Sequence, residues 1–233
     1  MTNALDLVDE EFDPIDLQLE IESAFGLRLT DEEAWSVRTM GDLHALLMRR
    51  IEPSMGESCL TTMAFLRLRR AIAPIVPGIR LRPSTLLSAI PAKSPRALFD
   101  SIRLENGLRL PALEKGTLTD ISGILFMSLC AIVPILALLE VSWLAVGGVI
   151  VGVIALMWPL QHLDPLRFPS RCESLGDLSR AIAAHNASAL AREGAELDSD
   201  TVWQSLVQIV APYALTPKAD IGRDTTILRG ASV

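Results

Sequence analysis

Apolar residues follow two regimes along this chain. Over most of it they recur at helical spacing among charged neighbours, but from 121 to 160 they run on with one formal charge, Glu140. Segment 121–139 reads ISGILFMSLCAIVPILALL and segment 143–160 reads WLAVGGVIVGVIALMWPL. Each approaches the roughly 20 residues, about 30 Å of helix, that cross a hydrocarbon core. Only Glu140, Val141 and Ser142 separate them, so the pattern predicts an antiparallel two-span transmembrane hairpin. A water-soluble helix that is apolar all round must be covered by protein on every side, and flanks this polar cannot cover two.

The basic residues orient the hairpin. Arg103, Arg109 and Lys115 precede it, Arg167, Arg171 and Arg180 follow it, and the turn has neither Lys nor Arg. The positive-inside bias then predicts a multi-pass protein of the inner membrane with both termini cytoplasmic. Trp143 and Trp158 suit the two headgroup regions, and Glu140 at the turn reads as a solvated cap rather than part of an ion path. Pro134 predicts a kink in the first span. Gly148 and Gly152 form a GxxxG spacing that admits a neighbouring backbone, either the first span or a second copy in a homo-oligomer.

The flanks read as all-α, in small helical modules. Asp13 as N-cap with Pro14 opens a helix carrying Ile15, Leu17, Leu19, Ile21 and Phe25, and Gly26 stops it. An extended link over 27–30 and a helical turn or two over 31–37 follow. Thr39 with Asp42 caps a helix through Leu43, Leu46, Leu47 and Ile51, which Pro53, Ser54 and Gly56 end.

This grammar repeats. Ser94-Pro95 opens a second helix that stops at Gly107, and the tetrapeptide GLRL follows both stops, at 26–29 and 107–110. Ser174-Leu175-Gly176-Asp177-Leu178 then matches Thr39-Met40-Gly41-Asp42-Leu43. Residues 30–40 join the two signals in the first copy, and 111–175 join them in the second, with the hairpin inside. A duplicated module with the hairpin inserted in one copy explains both matches in the same order. Two further segments resemble each other: a basic amphipathic helix over 64–73 with a Pro- and Thr-containing loop over 79–87, and a helix over 201–213 carrying Trp203, Leu206, Val207 and Val210 with a loop over 215–227. The expected organisation is a first copy over 1–53 completed by 201–228, and a second beginning over 57–113. The hairpin then occupies 121–160, the second copy's last helix 170–190, and the C-terminal helix and loop 201–233. Arg67, Arg69 and Arg70 face either anionic headgroups or water.

Composition adds mostly exclusions. A net charge of −7 without a clustered basic face argues against nucleic acid. Cys59, Cys130 and Cys172 form no CxxC spacing, and His44, His162 and His185 lack the spacing of metal ligands, which leaves the histidines surface or packing roles. Cys59 has no neighbouring His to make it a nucleophile, and the Asp9, Glu10, Glu11, Asp13 run lacks the alternation of a calcium loop. The acidic N-terminus has no basic n-region, so no cleavable signal peptide is expected. No catalytic constellation emerges and no enzyme is expected.

The stretch FGLRLTDEEA at 25–34 with TMGDL at 39–43 resembles the second half of an acyl carrier protein, where a long helix ends at Phe-Gly, an acidic turn follows and a capped last helix closes the fold. Segments 64–90 and 201–228 are similar to that family's first helix and long loop. The resemblance implies four-helix bundles, the first circularly permuted and the second interrupted by the hairpin. It also implies a phosphopantetheine arm on a serine opening the second helix. In the first copy that position falls on Glu11, which has no hydroxyl; in the second it falls on Ser94 counting from Thr85, or on Ala92 counting from Gly107. Lys93-Ser94-Pro95 departs from the Asp-Ser-Leu motif, and an N-cap role explains Ser94 as well. The expected protein is therefore a non-catalytic anchor or scaffold without a cofactor. It sits in a lipid bilayer and offers Asp31, Glu32 and Glu33 to a basic cytoplasmic protein, in the way carrier folds meet their enzymes. The alternative is a membrane-tethered carrier with phosphopantetheine on Ser94.

Overall fold

The computed structural model describes residues 14–114, 128, 166–214 and 217–227. The predicted hairpin, with Gly148 and Gly152, lies outside them apart from Ser128, and among the described residues no helix is long and apolar enough to cross a membrane. The described chain is mostly helical. Helices α1 (Pro14–Phe25), α2 (Asp31–Ser36) and α3 (Met40–Arg50) lead through a two-residue strand β1 (Ser58–Cys59) to α4 (Leu60–Ile72) and α5 (Pro95–Asn106). Then come α6 (Leu175–His185), α7 (Ala187–Arg192), β2 (Ala195–Glu196) and α8 (Ser199–Val210), with short 3-10 turns at Leu87–Ala89, Ala211–Tyr213 and Lys218–Asp220.

Two boundaries differ from the sequence reading. Helix α4 starts at Leu60 rather than 64, because its N-cap Cys59 makes no side-chain bond and so leaves no polar start signal. The helix expected over 170–190 breaks at Asn186. Its Oδ1 accepts the Arg109 N–H and its Nδ2 donates to the Arg109 and Ile182 carbonyls, all within 2.9 Å. That side chain takes up the Ile182 carbonyl freed by the break and ties the helix end to Arg109, and α7 begins beyond it.

The chain divides into two compact units. The smaller is Ala92–Leu98 with Ala112–Ser170. In it Glu114 and Arg167 exchange backbone hydrogen bonds of 3.1 and 2.9 Å, and the Glu114 carboxylate accepts the N–H and hydroxyl of Ser170. The larger is Met1–Pro91 with Phe99–Pro111 and Arg171–Val233, and α6 is its axis. Leu175, Leu178 and Ile182 of α6 are fully buried, and Ser179, Ala181, Ala183 and Ala184 are small enough for α4 and α8 to pack closely on either side. Leu60, Ala64, Leu68 and Ile72 of α4 recur every four residues, and Val202, Leu206, Ile209 and Val210 make the corresponding stripe on α8. Each such aliphatic side chain contributes about 1.5–3 kcal/mol by leaving water.

The loops after α4 and α8 grip the caps of α6 and α3 with one hydrogen-bond pattern. At the cap of α3, Met40 N–H donates to Thr225 O at 2.9 Å, Gly41 N–H to Arg223 O at 2.7 Å, and Ile227 N–H to Arg38 O at 2.9 Å. At the cap of α6, Leu175 N–H donates to Thr85 O at 2.9 Å, Gly176 N–H to Pro83 O at 2.8 Å, and Leu87 N–H to Glu173 O at 2.9 Å. Each loop is itself folded by a threonine: Thr225 Oγ1 accepts the Gly222 N–H and Thr85 Oγ1 accepts the Arg82 N–H. Both helices carry complete capping boxes, Thr39 with Asp42 and Ser174 with Asp177. Glycine is needed in the cap because a Cβ at 41 would lie 2.8 Å from Arg223 O, and one at 176 would lie 3.0 Å from Pro83 O. Residues 222–227, late in the chain, thus bind the early helix α3.

The segments that follow α3 and α7 also pair. β1 and β2 run parallel, with Ser58 opposite Ala195 and Cys59 opposite Glu196, and Ser54 exchanges hydrogen bonds with Leu197.

Candidate functional site

The residues expected to bind a partner sit on α2. Thr30 caps this short helix and Glu33 closes the capping box. Glu33 is also gripped by Arg50 of α3, whose guanidinium donates to both carboxylate oxygens at 2.7 Å. That ion pair, with the Thr30 N–H, holds the Glu33 carboxyl at about 2. Glu33 therefore fastens α2 to α3, while Asp31 and Glu32 stand exposed beside it.

Between α1, α2 and α3 lies a cleft of about 290 Å3, walled by Ile15, Ile21, Leu29, Trp35, Val37 and Leu43, with Asp31 on its edge. Helix α1 buries Leu17, Ile21, Ala24 and Phe25 and leaves Ile15 and Leu19 outward, and the Trp35 side chain is 78% exposed. An indole, two aliphatic side chains and an apolar cleft with carboxylates beside them form a surface unlike a solvated helix face. The sequence singled out the acids but missed Trp35, the largest exposed apolar group of α2.

Ser94, the candidate attachment residue, is exposed at the start of α5, and its Oγ accepts the Ala97 N–H at 3.1 Å. It acts as a helix N-cap. Cys59 is exposed, Cys172 is buried, and among the described residues no group of three or more His, Cys, Asp or Glu could hold a metal ion.

Two polar clusters join elements distant in sequence. His44 is buried beneath Trp203, its Nε2 on Ser199 O at 3.0 Å and its Nδ1 facing Arg223 Nη1 at 3.3 Å; Arg223 in turn lies over the Trp203 ring. The second cluster is ionic. Glu20 of α1 accepts from His185 Nε2 at 2.8 Å and from the Tyr213 hydroxyl at 2.7 Å, and His185 Nδ1 donates to Ala181 O at 2.7 Å. A carbonyl on one ring nitrogen and a carboxylate on the other favour the doubly protonated imidazolium, in which both nitrogens donate. Burial alone would lower the His185 pKa, but the bonds to Glu20 and Ala181 outweigh it and raise the pKa. Burial would likewise raise that of Glu20, but His185 and Tyr213 bring it below the ordinary value.

These opposite shifts set a pH window. The His185 contribution is complete below the unfolded histidine pKa and is lost as pH rises through the higher folded one. The Glu20 contribution is complete above the unfolded glutamate pKa and is lost as pH falls through the lower folded one. Stability is expected to decline on both sides of a mildly acidic plateau. On the alkaline side, His185→Gln is expected to remove about 1–2 kcal/mol of the fall. Melting temperatures from pH 5 to 9 test this, and an unchanged alkaline limb in the variant would refute it.

Compared with protein-family models, with curated proteins and with solved structures, the chain matches none.

Proposed function

We propose that the protein is a non-catalytic scaffold of the inner membrane, anchored by a helical hairpin over 121–160, that presents carrier-like helical modules to a cytoplasmic protein partner. The observation that carries this reading is the apolar cleft beside α2, with the exposed Trp35 and Ile15 and the carboxylate of Asp31 on its wall. A partner that fits offers a basic, amphipathic segment: an apolar side chain for the cleft and Lys or Arg for the carboxylates. The matched loop-and-cap bonding at α3 and α6 supports a repeated module. The low charge of 121–139 and 143–160 supports the anchor.

Asp31→Lys combined with Glu32→Lys is expected to reduce partner recovery after cross-linking in membranes about tenfold, with thermal stability little changed because both acids are exposed. Recovery of the same partners in the same amounts would count against this surface. Release of the wild-type chain into the aqueous phase by alkaline washing would remove the anchor.

A further inference from the structure

The acidic net charge conceals one place where cations converge. Arg171, Arg180 of α6 and Lys218 of the 3-10 turn Lys218–Asp220 line a cavity of about 490 Å3, with Gln208 of α8 and a single acid, Asp177. That acid is already committed. Its carboxylate takes the Ser174 N–H at 3.0 Å and the Ser174 hydroxyl at 2.6 Å as the cap of α6, and pairs with Arg180. Lys218 Nζ donates to Gln208 Oε1, a neutral partner.

Three cations against one shared carboxylate repel one another. Burial and then the charges of Arg180 and Arg171 hold the Lys218 ammonium below its ordinary pKa, against the smaller opposing effect of Asp177. The first turn of α6 lies here too, and the positive end of its dipole adds to the field. Such a cluster is relieved by an anion that accepts several charge-assisted hydrogen bonds at once. The three donors come from separate elements around a concave site, which suits a compact, multiply charged group rather than an extended acidic segment.

We infer that this cavity binds a phosphate group, carried either by a lipid headgroup or by a soluble phosphate. The lipid source rests on the membrane reading, since only residues 161–170 separate Arg171 from the second apolar segment. The phosphate chemistry does not depend on it.

The test uses the full chain and its Arg171→Gln, Lys218→Met double variant, whose altered residues lie outside the apolar core. In detergent, inorganic phosphate is expected to raise the melting temperature saturably where chloride of equal ionic strength does not, if the source is soluble. In phosphatidylcholine nanodiscs, added phosphatidic acid is expected to do so if the source is lipid. The double variant is expected to weaken the response about tenfold in whichever arm shows it. It is also expected to melt slightly higher than wild type without phosphate, because the repulsion is gone. A purely structural role would lower that melting temperature. No saturable response in either arm, or an equal response from the variant, overturns the site. The detergent arm can succeed even if the chain proves not to span a bilayer, so the two readings fail separately.

Discussion

Gly56→Ala is expected to cost about 3 kcal/mol of stability, more than any surface change in the molecule. A Cβ at 56 would lie 2.3 Å from Gly194 O, 2.4 Å from Ala195 C and 2.6 Å from Ala195 O. All three are backbone atoms with no rotamer by which to move aside. Opening the gap means parting the strands β1 and β2 and the Ser54–Leu197 bonds, so the clash and the lost pairing add. Met55→Ala, at a residue 96% exposed next door, is expected to stay within about 0.5 kcal/mol. Chemical denaturation of the two variants checks this, and near-equal midpoints would mean that the links do not lie against each other.

Leu178→Ala should be comparably damaging, at about 2–5 kcal/mol. Leu178 is completely buried on α6, the helix against which both α4 and α8 pack. The neighbours are held by the caps and loops at their ends and can close only part of the cavity. Leu104→Ala provides the contrast, since that leucine is 87% exposed on α5 and its removal is expected to cost under about 0.5 kcal/mol. A loss at 178 no greater than that at 104 would contradict the central place of α6.

Much of this architecture is announced locally. The Thr39–Asp42 and Ser174–Asp177 boxes mark where α3 and α6 begin, and Gly26 and Gly107, both at positive φ, mark where α1 and α5 end. These signals span three or four residues, so one sequence suffices to read them. The break at Asn186 was hidden because its partner, Arg109, lies 77 residues away. For the same reason Glu20, His185 and Tyr213 looked unrelated, as they are 165 and 193 positions apart in their two bonds. Of the candidate partner surface the acids were legible and the cleft was not. Leu29 and Val37 fall in segments read as a link and a short helical turn, and only the packing of α1 brings them to one cleft with Leu43. Glu33, grouped with Asp31 and Glu32 by its sequence neighbours, is instead drawn into the fold by Arg50.

The grip of residues 222–227 on the cap of α3 bears on how the chain is made. Helices α1 to α3 leave the ribosome well before residues 222–227, which close over the cap of α3. Until that loop emerges the cap of α3 stays open, and that interval is when a chaperone would find it.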